Sequence, residues 1–317
     1  MSDAQAKFPL AGKRIWVAGH RGMVGSELIR QLHGENCELL SVDREDLDLR
    51  RQSDVEDWMS DHKPTAIFMA AAKVGGIVYN QNYPAEFLYD NLMIEANIIH
   101  AAHRIAVEKL LFLGSSCIYP RESEQPVREE ALMTGALEQT NQWYALSKIA
   151  GIRLCQSYRQ QFGCDFISAM PTNLYGEKDN FDLETSHVIP ALMAKAHDAK
   201  INNLAELEVW GTGNPRREFL HVEDAAEAMI FMMKHYSNSA HLNVGTGVDI
   251  SIRDLGLMIA EIVGFEGELE FDVGKPDGTL LKRLDVSRLA ALGWQCRVGL
   301  RAGLERTYAW YLNSLQG

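Results

Sequence analysis

Tyr144 and Lys148 stand four residues apart in Tyr144-Ala-Leu-Ser-Lys148. On a helix that spacing puts the phenol and the ammonium on one face. There a fixed cation favours phenolate and lowers the tyrosine pKa from its reference of about 10. Such a phenol gives and takes protons near neutrality. A second group lies in LFLGSSCIYP (111–120), where an apolar run ends in Ser115 and Cys117. A hydroxyl can donate to an oxyanion, and a thiolate stabilised by a cation or backbone dipole is a soft base. Cysteine is also a common buried hydrophobe, so Cys117 taken alone reads first as core filler.

A third group is Gly19-His20-Arg21-Gly22-Met23-Val24-Gly25, a G-x-x-G-x-x-G pattern. It directly follows an apolar strand and opens a helix, where glycines let a pyrophosphate approach backbone N–H groups. Past the second strand comes Asp43-Arg44. A carboxylate there suits the ribose hydroxyls of NAD, and an arginine the 2′-phosphate of NADP. Arg44, helped by Arg21, favours NADP; a solvated surface charge is the plainer account of Arg44. In the second half, Arg217 offers a guanidinium fork for a diphosphate. His187 titrates in a range useful for proton delivery, although by itself it reads as a surface histidine at a helix start. Trp210 fits a ligand face and a core position equally well.

These residues need elements to position them. RIWVAG (14–19), CELLSVD (37–43), AIFMAA (66–71), KLLFLGS (109–115) and DFISAMP (165–171) read as strands. Helical patterns alternate with them: GHRGMVGSELIRQL, QSDVEDWMSDH, Pro84 to about Ala106, and Trp143 to about Phe162. Continuous apolar strands alternating with helices predict a parallel sheet covered on both faces. Ligands of such sheets sit at the carboxyl ends of the strands, where Ser115 and Cys117 fall. Beyond Pro171 the pattern is less regular. LEVWG (207–211), REFLHVED (217–224), HLNVG (241–245) and ELEFD (268–272) read as strands, with helices over 223–235 and 299–314.

Composition sets the limits. A chain of 317 residues with 46% hydrophobic content can bury a large core. The five cysteines include no C-x-x-C pair, which argues against a disulfide framework or a thiolate metal site. A net charge of −12 argues against nucleic acid as a partner. No apolar run is long enough to span a bilayer, and the start, MSDAQAKFPLAGK, lacks the order of a signal peptide. The expected location is the cytoplasm.

With the glycine loop, the strand-end serine and Y-x-x-x-K in place, the chain resembles the extended short-chain dehydrogenase/reductase family. The likeness extends over GHRGMVGS, AAAKVGGI, LFLGSSCIYP, MPTNLYG, SHVIPAL, REFLHV, NVGTG and KPDGT, almost the whole chain. It points to the branch that epimerises and reduces GDP-bound 4-keto sugars. The resemblance implies an α/β fold: a doubly wound parallel Rossmann sheet with a smaller C-terminal nucleotide-sugar-binding lobe. Residues 1–175 would form the NADP-binding domain, with interleaved segments near 217–250, and residues 176–317 mainly the substrate lobe.

Carried over to this sequence, Ser115, Tyr144 and Lys148 match the reductase triad, and Cys117 and His187 the epimerising pair. The cofactor set comprises Gly19, His20, Arg21, Gly22, Met23, Val24 and Gly25, then Arg44, Asp48 and Leu49. Gly114, Pro171, Thr172, Asn173 and Leu174 complete it, joined by Ser115, Tyr144, Lys148 and His187. Lys195, Trp210, Arg217 and Asp277 match contacts to the GDP-sugar. Asp48 departs from the asparagine common there and, with Asp43, weakens the argument for strict NADP selectivity. The implied reaction inverts C3 and C5 of GDP-4-keto-6-deoxy-D-mannose and reduces C4 with NADPH, in a homodimer joined near helices 84–106 and 144–162. Two rivals remain: a relative acting on the 3-deoxy sugar to give GDP-L-colitose, and a non-catalytic nucleotide-binding regulator. The intact triad counts against the second.

Overall fold

A computed structural model describes residues 6–275 and 277–316. The first five residues of the N-terminal stretch and Pro276 of KPDGT lie outside the described residues. The strands are β1 Arg14–Ala18, β2 Glu38–Leu40, β3 Ala66–Met69, β4 Lys109–Leu113, β5 Phe166–Pro171, β6 Asn173–Tyr175, β7 Glu206–Trp210, β8 Arg216–His221, β9 Leu242–Val244, β10 Asp249–Ser251, β11 Glu268–Asp272 and β12 Leu281–Lys282. The α-helices are α1 Met23–Leu32, α2 Gln52–His62, α3 Ile77–Asn82, α4 Pro84–Arg104, α5 Gln142–Phe162, α6 Val188–Ile201, α7 Val222–His235, α8 Ile252–Val263, α9 Ser287–Ala291 and α10 Leu300–Ser314.

The central sheet has six strands in the order β2-β1-β3-β4-β5-β9, all parallel. Ile15, Trp16, Ile67, Phe68, Leu110 and Phe112 are fully buried, because helices cover both faces. On one face Leu28 and Leu32 of α1 pack with Met229 and Met233 of α7; on the other, Val55, Ile98 and Ile152 bring in α2, α4 and α5. After β2 the chain crosses to the far side of β1 to add β3. That switch point opens a crevice beyond the carboxyl ends of the strands.

The second half is richer than its sequence pattern. β8 carries β10 antiparallel and both β6 and β12 parallel, and β7 pairs with β11. A third core joins Met193 of α6, Ile259 of α8, Leu304 of α10 and Val209 of β7. The expected elements lacked α3, α8 and α9 and the short strands β6, β10 and β12, and of α6 included only a helix start at His187. Helix α6 buries residues on most of its circumference, from Ile189 and Pro190 to Ala196 and Ala199, so no apolar stripe stands out. Helix α8 had a readable start: Ser251 Oγ accepts from the Asp254 N–H at 3.0 Å. The second strand is shorter than 37–43, and the turn from β8 into α7 comes at Val222, inside the expected strand 217–224. Among the described residues no helix is long and apolar enough to cross a membrane.

The loop from β1 into α1 depends on two close approaches. Gly19 has φ +86° and its backbone lies against Ala71, 2.7 Å from where a Cβ would stand. A Cβ on Gly25 would fall onto the Gly19 carbonyl oxygen. Gly25→Ala therefore forces backbone apart and should destabilise the fold by about 1–3 kcal/mol. Urea denaturation checks this; an unchanged midpoint would show that the loop yields freely.

Candidate active site

Gly22 caps α1 without a side-chain hydrogen bond, so the first N–H groups of the helix are free for an anion. The adjoining charges are already engaged. Asp43 pairs with Arg21 and lies 3.2 Å from His20 Nε2. Asp48 holds Arg50 through both carboxylate oxygens, at 2.9 and 2.7 Å, and this bond leads the causes that bring its pKa down to about 2. Its side chain is thus committed within the loop, whereas Arg44 is exposed. The residues present fit a dinucleotide: bare N–H groups, a glycine-lined approach and one open arginine.

Strand β4 delivers the next group. Gly114 N–H donates to the Ala169 carbonyl at 2.9 Å, continuing the ladder past the strand end. Ser115 then caps a short 3₁₀ turn over Ser116–Ile118, its Oγ accepting from the Cys117 N–H at 3.4 Å. Lys148 on α5 reaches beneath this edge and donates to the Leu113 carbonyl at 3.1 Å. Tyr144, one turn earlier, packs edge-on against Phe87 with ring centroids 6.3 Å apart. Sequence spacing therefore brings Ser115, Cys117, Tyr144 and Lys148 to the end of one strand.

The expected electrostatics of the pair need correction. Lys148 Nζ lies 5.7 Å from the Tyr144 ring centroid and 3.1 Å from Glu95 Oε1, with both charged side chains buried. Burial pushes the Tyr144 phenol well above its usual range, and Cys117 and Glu95 beside it add to the rise. Burial thus outweighs the lowering expected from the lysine. Sequence reading missed Glu95. The available signal was one carboxylate inside the apolar run of α4, between Ile94 and Ile98.

Cys117 is buried, and burial pushes its thiol up, while the positive charges of Lys282 and Lys148 pull the other way. Lys282 was also missed; it sits on a two-residue strand whose register places it opposite Arg217 of β8. His187 stands at the start of α6, exposed in the second lobe, where desolvation by the surrounding protein pushes its imidazole pKa down. Its segment is seated through Gly76, whose N–H donates to the Thr185 carbonyl at 2.9 Å. Gly75 lies against Phe87, the ring that also packs on Tyr144.

At the end of β5, Pro171 leads to Thr172 and Asn173, whose side chains donate to the Glu218 carbonyl at 3.1 and 2.8 Å. With Leu174 they join the central sheet to β8. Lys195 pairs with Glu208 at 2.9 Å and lies 5.0 Å over Trp210, which is 45% exposed and so not a core residue. Asp277 accepts from Thr212 N–H and Oγ at 2.7 and 2.8 Å. Burial lowers the Arg217 pKa, and the carboxylates Glu138 and Asp277 oppose that change. Beside Asp277 opens a polar cavity of about 660 Å³, lined also by Arg121, Glu138, Gln142 and Gly278. Arg217 and Asp277 thus stand together, with Lys195 and Trp210 as a second pair on the same lobe. Such an arrangement can hold a dinucleotide along one sheet edge and a polar anion opposite it, with proton-transfer groups between.

Residues 15–245 match the model of the NAD dependent epimerase/dehydratase family. The GDP-L-fucose synthase of Sinorhizobium fredii is 55% identical over 97% of this chain and 98% of its own length. The GDP-L-colitose synthase of Yersinia pseudotuberculosis is 36% identical, over 95% of this chain and 98% of its own. A crystal structure of a GDP-L-fucose synthetase from Naegleria fowleri bound to NADP superposes with a TM-score of 0.90. It shares 27% identity and covers 98% of this chain and 97% of that one. With a family model matched over residues 15–245 and relatives this similar over nearly the whole length, the chain belongs to the NAD dependent epimerase/dehydratase family.

Proposed function

We propose that this protein converts GDP-4-keto-6-deoxy-D-mannose to GDP-L-fucose, inverting C3 and C5 and then reducing C4 with NADPH. The observation that carries this reading is the gathering of Ser115, Cys117, Tyr144 and Lys148 at the end of β4. Ser115, Tyr144 and Lys148 suit a ketone being reduced; Cys117, with His187 as the proposed acid, suits inversion at carbon. The higher identity to the fucose enzyme than to the colitose enzyme favours the 6-deoxy substrate over its 3-deoxy analogue.

The 4-keto group acidifies the protons on C3 and C5. Cys117 takes a proton from one face, and His187 returns one from the other. Ser115 and Tyr144 donate to the enolate oxygen. At rest the pair is a thiol and a neutral imidazole, given the directions of their pKa shifts. The thiolate must therefore form as the ligand fills the cleft, with Lys282 as its nearest charge support. Bound NADPH supplies the hydride to C4. Tyr144 gives its proton to the resulting alkoxide, and Lys148 holds the nicotinamide ribose. Arg217 and Lys195 engage the diphosphate side of the substrate, Trp210 offers a flat face and Asp277 an acceptor.

The reading includes a homodimer built on α4 and α5, whose outer faces carry exposed Tyr89, Trp143 and Leu146. It also places the enzyme in the cytoplasm.

Three experiments test the assignment. Arg44→Ala should weaken NADPH by about one to two decades, the range for a lost charge-assisted pair, and NADH far less. Fluorescence titration with both cofactors measures it, and equal losses would remove Arg44 from 2′-phosphate recognition. Tyr144→Phe should lower reduction by about 10²–10⁴-fold, as expected on removing a general acid, while NADPH still binds. Turnover within a few-fold of the parent would sink the role of the phenol. In D₂O without NADPH, Cys117→Ala should lose deuterium uptake at C3 and C5, followed by mass spectrometry. Uptake at the parental rate would make the thiol core filler and send the search for the base elsewhere.

A further inference from the structure

Glu95 is 1% exposed, on the side of α4 that packs against α5 and the sheet. Among the described residues the partner of its carboxylate is the Lys148 ammonium, whose Nζ lies 3.1 Å from Oε1. The cage around this pair is tight. A Cβ on Gly151 would press on the Phe112 ring and stand 2.8 Å from Glu95 Oε2, so only glycine lets α5 come this close. Lys148 Nζ also lies 4.8 Å over the Phe112 ring and donates to the Leu113 carbonyl at 3.1 Å. An ammonium has three N–H donors. The Leu113 carbonyl and the Glu95 carboxylate occupy two directions, which leaves one for a ligand beside Tyr144.

We propose that Glu95 is a positioning residue for the reduction: its carboxylate clamps the Lys148 ammonium under β4 so that the remaining N–H meets the cofactor ribose next to Tyr144. The role of Lys148 in this statement rests on the function proposed above. Without the carboxylate, the ammonium would be a buried charge held by one carbonyl, free to turn and costly to keep ionised.

The clamp carries a pH signature. The groups whose charges meet Glu95 are Lys148, Tyr144 and Cys155, all from α5. The sheet contributes only the Phe112 ring, and on the other flank Arg50 is taken up by Asp48 and Asp90. Burial pushes the Glu95 carboxyl up to about 7, with Lys148 opposing the rise. The carboxylate is therefore charged above neutrality and loses its charge as pH falls through about 7. Cofactor affinity and hydride transfer should fall with it.

The test uses full-length parent, Glu95→Gln and Glu95→Asp. NADPH affinity is titrated by fluorescence across neutrality, hydride transfer is followed in single turnovers, and deuterium uptake at C3 and C5 is measured without NADPH. Glu95→Gln should bind NADPH about tenfold more weakly and transfer hydride about ten- to a hundredfold more slowly, the scale of a lost charge-assisted bond. Both quantities should lose their dependence on pH near neutrality, while deuterium uptake, whose base is Cys117, falls far less than hydride transfer. Glu95→Asp should recover part of the pH dependence, and it carries the test if the glutamine variant does not fold. Parental NADPH affinity with an unchanged pH profile in Glu95→Gln overturns the proposal. So does an equal loss of uptake and hydride transfer, which is what a merely structural residue gives. The NADPH titration needs no sugar turnover, so it tests the clamp even if the sugar assignment fails.

Discussion

A lysine ammonium sealed beneath the edge of a parallel sheet is the fixed point of this molecule. Removing a charge of that kind from water costs several kcal/mol unless partners replace the lost hydration. Lys148 finds them in the Leu113 carbonyl, the Glu95 carboxylate and the face of Phe112. Leu113 and Phe112 set the end of β4 and Glu95 the middle of α4, while Gly151 lets α5 approach them. The ion pair thus fixes where Tyr144, one helical turn away, must stand. Burial at this spot, with Glu95 adding to it, is why Tyr144 holds its proton tightly at rest.

The second lobe works by adding charge to a site that the sheet alone leaves incomplete. Arg217 and Lys282 lie opposite each other on β8 and β12, and the charge of Lys282 reaches Cys117. Thr172 and Asn173 donate to the backbone of β8, and the Glu218 carboxylate accepts from the N–H groups of Thr246, Gly247 and Leu284. Those bonds tie the lobe's sheet to the carboxyl ends of β5 and β9. A joint of this kind holds the lobe's cations Arg217 and Lys282 against the end of the central sheet.

At the cofactor end the balance is looser. Asp43 ties Arg21 and His20 to each other, and Asp48 is absorbed by Arg50. Arg44 is exposed at the surface, with the first N–H groups of α1 behind the glycine loop. In the proposed binding mode, backbone geometry serves the pyrophosphate and an exposed guanidinium the adenosine end.

By itself the sequence determined the parallel sheet, the glycine loop, the strand-end Ser115 and Cys117, and the face shared by Tyr144 and Lys148. Those features are local: apolar runs, glycine spacing and an i, i+4 repeat fix them within a few residues of chain. The body of α6 and the whole of α8 escaped because burial around most of α6 blurs its period, and because the cap that announces α8 follows a strand of only three residues. Only the tertiary structure decided which charges meet. Glu95 and Lys148 are 53 positions apart, and Lys282 lies farther still from Cys117, so no spacing rule joins them. A buried charge takes its proton affinity from neighbours that folding brings from distant segments. That is why local spacing located the tyrosine and lysine correctly yet mistook the direction of the tyrosine's shift.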